Sequence, residues 1–282
     1  MRLADKTNGL LALIRQGQPM TFGEQLQLAV RLSIPAVIAQ LSSIVMQYID
    51  AAMVGHLGAE ASASIGLVST TTWLFWGLCA AVASGFSVQV AHRIGAGDMA
   101  GARAVVRQAL VATLGFSLLL AAVGTAISGV LPQWLGGDPS IRHDASLYFR
   151  IFSLFLPALQ MNFLAGGMLR CSGNMHIPSL MGVAMCVLDV VFNFFLIFPT
   201  REWDLAGLTL TVPGAGLGVA GAALGTVAAE AVVAGILLRY LWTRSAELRL
   251  TAERGSFRPR SETLRRAFRI GFPMCKIGRA HV

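Results

Sequence analysis

Three acids lie inside stretches of this sequence that are otherwise apolar: Asp50, Asp189 and Glu230. Each has polar neighbours at helical spacing. Gln40, Ser43, Gln47 and Asp50 follow at intervals of three, four and three, which places them on one helix face at about 3.6 residues per turn. Asp189 and Asn193 are four apart and share a face, as do Thr226 and Glu230. Gln160 and Asn162 sit near the middle of a further apolar segment. A carboxylate in low dielectric without a cationic partner takes up a proton more readily than in water. Surrounded by other oxygens, it would instead hold a sodium ion. A cavity of this charge also attracts organic cations. Either chemistry suits ion coupling, by H+ or Na+, and the candidates are the three acids Asp50, Asp189 and Glu230 with Asn193 and Thr226 beside them. Gln40, Ser43, Gln47, Gln160, Asn162 and Glu230 are expected to line a substrate cavity. The alternative is structural: protonated acids and amides that hold helices together by hydrogen bonds, above all at Gln40, Ser43 and Glu230.

These side chains need long helices to position them. Six apolar segments, at roughly 27–54, 62–92, 103–131, 146–170, 177–199 and 217–241, each exceed the ~20 residues that span a bilayer. A charge facing lipid costs about 3 kcal/mol or more, so the polar stripe of the first segment faces a bundle interior or a water-filled cavity. At about 1.5 Å per residue, Asp189 lies roughly 18 Å from the start of its segment and Thr226 roughly 14 Å from the start of its own. With Asp50 near the far end of the first segment, these depths converge in one half of the bundle.

Composition agrees with a membrane protein. Of 282 residues, 55% are hydrophobic and 13% charged, with a mean hydropathy of +0.66. The net charge of +8 does not point to nucleic acid, because the basic residues sit in loops between apolar segments. One side carries Arg93, Arg103, Arg107 and Arg170 with the arginine-rich connection 239–269; the other carries only Arg142, Arg150 and Arg201. The positive-inside rule then puts both termini in the cytoplasm, and no removable signal peptide is expected. Cys79, Cys171, Cys186 and Cys275 lack metal-ligand spacing and read as small apolar packing residues.

Turn signals punctuate the segments. They include Gly95, Gly97 and Asp98, then Gly136, Gly137 and Pro139, then Ser172, Gly173 and Asn174. Residues 200–216 read as a short hairpin, and glycines at 214, 218, 221 and 225 as helix-packing contacts. Residues 26–35, LQLAVRLSIP, resemble residues 264–273, LRRAFRIGFP, so a second copy of the first helix is expected to begin there. The final residues 276–282, KIGRAHV, read as a translated sequencing adapter, and we expect the natural chain to continue differently beyond 275. The expected organisation is a cytoplasmic leader over 1–25, a six-helix lobe over 26–242, a cytoplasmic linker over 243–263 and the start of a seventh helix over 264–275.

Four blocks carry a family resemblance: YIDAAMVGHLGAEASASIGL, GFSVQVAHRIGAGDMAGAR, MLRCSGNMHIPSLM and GLGVAGAALGTVAAE. In this order they resemble the multidrug and toxic compound extrusion (MATE) family, from about Gln25 to Met274. The resemblance implies an all-α integral membrane fold. It would be one six-helix transmembrane bundle of a two-lobe, twelve-helix, V-shaped antiporter, plus the start of helix 7. It also implies export of cationic or hydrophobic compounds in exchange for protons or sodium. The family's acid on helix 1 matches Asp50 and its helix 6 threonine matches Thr226. On helix 5 the family pattern is Asn, three residues, then Asp; here the order is reversed as Asp189 and Asn193.

A multi-pass protein of a bacterial inner membrane follows, one that needs no cofactor beyond its coupling ion. Its expected partners are small cationic molecules and membrane lipid, not nucleic acid, and the full-length protein is expected to be a monomer. A flippase for lipid-linked or polysaccharide precursors is the nearest alternative, but it calls for basic residues inside the cavity, and the sequence places none there. A membrane-embedded enzyme would need a nucleophile or a metal set. His56, His92, His143, His176 and His281 instead fall in loops, at helix ends or in the tail.

Overall fold

The structure is a computed structural model that describes residues 19–205, 208–252 and 255–278. The leader up to residue 18, residues 206, 207, 253 and 254 and the tail from residue 279 lie outside the described residues. Helix α1 spans Phe22–Gly55 and opens with a capping box. The Thr21 hydroxyl accepts from the Glu24 backbone N–H at 3.4 Å, and the Glu24 carboxylate accepts from the Thr21 N–H at 2.8 Å. Helix α2 spans Ala59–Gly95 and α3 spans Met99–Ile127. The turn between them uses Gly97 at φ 75°, a conformation glycine adopts without strain. Asp98 then caps α3 by accepting from Gly101 N–H at 2.8 Å and pairs with Arg93 at 2.5 Å. Those two interactions, the backbone one first, hold its carboxyl below the ordinary aspartate range.

After the short helix α4, Leu131–Trp134, the fourth apolar segment differs from expectation. It is two helices, α5 over Pro139–Leu154 and α6 over Leu156–Cys171, bent by 47° at Phe155. The cause is Pro157, in the first turn of α6. It has no N–H to donate and its ring would collide with the carbonyl of Ser153 in a continuous helix. Helix α7 spans His176–Ile197. An antiparallel hairpin follows, β1 over Pro199–Leu205 and β2 over Leu208–Ala215, with Glu202 opposite Thr211. Helix α8 spans Gly218–Thr243, a single 3-10 turn covers Leu250–Ala252, and α9 covers Ser261–Gly278. Among the described residues, five helices are long and apolar enough to cross a membrane, or six if the bent α5–α6 pair is counted as one span.

The core is shared unevenly. Phe86, Val106, Leu164, Met168, Leu237 and Leu241 form its largest part, joining α2, α3, α6 and α8. A second cluster around Phe75, Phe149 and Leu156 ties α5 and α6 to α2. Helix α1 is the least covered, with Leu28, Met46 and Val54 as its buried residues. It packs mainly on α7, and α7 packs mainly on α8. These three helices carry the acids.

Candidate ion-binding site

The approach of α7 to α8 depends on glycine. A Cβ on Gly221 would meet the backbone of Leu196 and Ile197, and one on Gly225 would collide with the side chain of Asn193. Gly225 therefore makes room for a polar side chain as well as for a helix. Asn193 uses that room to bridge two helices. Its Nδ2 donates to Asp50 Oδ1 at 3.0 Å and to Asp189 Oδ2 at 3.1 Å. Asp189 is fully buried and Asn193 is 1% exposed, while Asp50 is half-buried. The shared amide brings the carboxyls of Asp50 and Asp189 together, and the Thr226 hydroxyl lies near Asp189.

The cluster has more acceptors than donors. Asp189 Oδ1 and Asn193 Oδ1 are buried without a hydrogen-bond partner among the described residues. The Thr226 hydroxyl donates to the Ala222 carbonyl at 3.2 Å, which leaves its oxygen lone pairs available. Two carboxylates brought this close also repel each other. A proton shared between them, or a hard cation held by oxygens, relieves both problems. Asp50, Asp189, Asn193 and Thr226 together offer up to six side-chain oxygens, a donor set that suits a hard cation. The residues present therefore fit a bound sodium ion or a bound proton.

The other expected cavity residues divide. Asn162 Nδ2 donates to Glu230 Oε2, so α6 and α8 are joined at a second acid. Gln160 is fully buried, and neither polar atom of its amide has a partner among the described residues. The stripe on α1 splits into two tracks. Ser43 is half-buried and donates to Ala39 carbonyl at 3.1 Å, with the Cys186 thiol 3.9 Å away on α7. Gln40 and Gln47 are exposed and do not join Asp50. A step of three residues turns the helix by about 300°, so these glutamines sit about 60° round from the Ser43–Asp50 line. That offset is enough to clear α7. Beside α1 and α7 runs a groove of about 520 Å³ lined by Leu41, Val45, Met46, Val187 and Val190. It is apolar, and no acid lines it.

Sequence reasoning missed Tyr148. It sits half-buried on α5, packed in two core clusters, within electrostatic range of both Asp50 and Asp189. An uncharged aromatic in an apolar segment gives no signal of its own.

The MatE family model matches residues 35–195. The chain belongs to the MatE family. This MatE chain is 30% identical over 255 residues to the probable multidrug resistance protein NorM of Deinococcus radiodurans, covering 89% of this chain and 51% of that protein. It is 23% identical over 245 residues to the protein of the same name from Thermotoga maritima, covering 86% of this chain and 50% of that one. Among solved structures it matches a MOP superfamily transporter from Pyrococcus furiosus, described as having a binding pocket of reverse polarity that suggests a different function. That match has a TM-score of 0.76 at 25% identity over 92% of this chain and 55% of the other. The chain spans about half the length of the curated relatives it matches. MatE proteins are multi-pass membrane transporters and not enzymes, and the mainly helical bundle, with five to six apolar spans among the described residues, is that of the family.

Proposed function

We propose that this chain forms the first six-helix lobe of a multidrug antiporter of the bacterial plasma membrane, with its N-terminus in the cytoplasm. Its substrates are organic cations or hydrophobic compounds, exported in exchange for H+ or Na+. The observation that supports this best is the buried group of Asp50, Asp189 and Asn193, in which two carboxyls share one amide donor. Among the described residues, no lysine or arginine forms an ion pair with any acid of these helices.

In this proposal the ion does thermodynamic work only by binding one conformation better than the other. Asp50 is carried by α1, the least covered helix, and Asp189 and Asn193 by α7. Filling the site would draw α1 against α7 and satisfy the two unpartnered oxygens; emptying it would leave two carboxylates in mutual repulsion and loosen that contact. The acids disfavour the anionic headgroup that a flippase would handle. The test is efflux of cationic dyes by a full-length protein carrying this chain, expressed in a pump-deficient bacterium. Everted vesicles with an imposed proton or sodium gradient then separate the two ions. Efflux coupled to one gradient is expected. Equal sensitivity to a broad cation panel with and without well-expressed protein overturns the proposal.

A further inference from the structure

The connection between α8 and α9 is strapped onto the bundle. Leu248 and Leu250 are buried in the core beside Leu237 and Leu241. Arg103 donates to the Glu247 carbonyl at 3.2 Å, Gln108 accepts from the Arg260 N–H at 3.0 Å, and Gln89 donates to the Thr263 carbonyl at 3.2 Å. Helix α9 then lies on α2 so closely that a Cβ on Gly85 would collide with the Ala267 backbone. The buried side of α9 is Ala267 and Gly271, and its exposed side carries Arg265, Phe268 and Arg269.

This strap presents arginines that have no ion pair among the described residues. Arg239, Arg244, Arg258, Arg260, Arg265 and Arg269 are among them, and all six are exposed. The acids nearby are largely engaged: Glu262 pairs with Arg266 at 2.6 Å, Asp98 pairs with Arg93, and Glu247 is half-buried. Interleaved with the arginines is an exposed aromatic pair, Trp242 stacked on Phe257 with ring centroids 6.0 Å apart. Trp242 belongs to the last turn of a spanning helix. Aromatic rings at that level mark the membrane–water interface. Guanidinium groups there meet phosphates in bidentate geometry.

We propose that the strap and the first turns of α9 form a binding face for anionic phospholipid headgroups of the adjoining leaflet, phosphatidylglycerol among them. Arginines carried on a segment already seated on the bundle gain from a negative leaflet surface without the cost of ordering a free loop. The aromatic pair favours lipid over a soluble polyanion, because Trp242 stands in the last turn of a helix long and apolar enough to cross a membrane.

The test uses the full-length protein in neutral detergent, titrated with phosphatidylglycerol or with phosphatidylcholine of the same acyl chains, and bound lipid counted by native mass spectrometry. We expect about ten-fold tighter retention of phosphatidylglycerol at 0.1 M salt, a modest share of what several arginines supply at about five-fold each. The preference should collapse at 1 M salt, where the screening length falls to about 3 Å. The quadruple variant Arg258→Gln, Arg260→Gln, Arg265→Gln, Arg269→Gln should lose it, and the same four changes to Lys should keep most of it. Equal retention of both lipids overturns the proposal, as does a preference that survives high salt or the Gln variant. Competition by inorganic phosphate at the lipid's own concentration would show a soluble-anion site instead. If the Gln variant does not fold, the salt titration of the unaltered protein decides.

Discussion

Asp50 is the residue on which coupling should turn. It accepts from Asn193 and faces Asp189, and no basic residue needs it as a partner among the described ones. Asp50→Asn in the full-length protein should therefore abolish gradient-driven efflux while expression and thermal melting stay near those of the unaltered protein. An amide takes up no proton in the working range, so the two conformations lose their differential ligand. Efflux at the unaltered rate would exclude Asp50 as the coupling acid; loss of both efflux and folding would assign it a structural role. Gly225 offers a separate test. A valine there must displace Asn193 or push α8 from α7, an overpacking that costs about 1–3 kcal/mol. A lower melting temperature together with weaker ion dependence is expected, whereas Gly235→Val, at a position with open space, should leave both unchanged. The acids of this site were legible because a charge in an apolar segment is too costly to be incidental. Gln40 and Gln47 stand apart from Asp50 because helical spacing defines an arc, and only the neighbouring helix decides which part of it is covered. Gly225 reads in sequence as packing alone; its second role depends on Asn193 standing opposite.

Among the elements, the spans were legible from length and hydropathy, and the hairpin from its turn-forming residues. The break at Phe155 was not, although Pro157 marks it. A proline near a helix start and one that bends a long span give the same local signal, and hydropathy runs straight across both. Pro157→Ala should restore the missing donor and favour a straighter α5–α6 span. Because α6 carries Gln160 and Asn162, that change should weaken the Asn162–Glu230 contact. Spin-label distances between Ser140 and Arg170 positions should lengthen; an unchanged distance would show that tertiary packing, and not Pro157, sets the bend. The seating of α9 on α2 gives a second prediction. Gly85→Leu would drive a side chain into the Ala267 backbone, which cannot yield like a side-chain tip. A drop in thermal stability is expected, with α9 the first segment to gain hydrogen exchange. If α9 stays protected, its seating does not depend on the close contact at Gly85.

For the molecule as a whole, ion binding and transport should separate. Asp50, Asp189, Asn193 and Thr226 all belong to this one chain and meet across α1, α7 and α8. The path for a substrate is another matter. In carriers built from repeated bundles it runs between the repeats, and alternating access is the movement of one against the other. This chain provides one bundle and leaves α1 broadly exposed, with Tyr48 at 74% and Gln40 and Gln47 uncovered. Residues 1–275 alone should therefore bind the coupling ion without moving a substrate. Binding would appear as stabilisation, about 2.7 kcal/mol when the ion is at a hundred times its Kd. A melting temperature that rises with sodium, or with falling pH if the ion is a proton, is expected for residues 1–275 and should vanish in Asp50→Asn. Liposomes holding the same fragment should show dye flux no faster than protein-free liposomes under either gradient. Gradient-driven efflux from those liposomes would mean that one lobe suffices. A melting temperature indifferent to both ions, in a fragment shown to be folded, would mean that the site is completed by the other half.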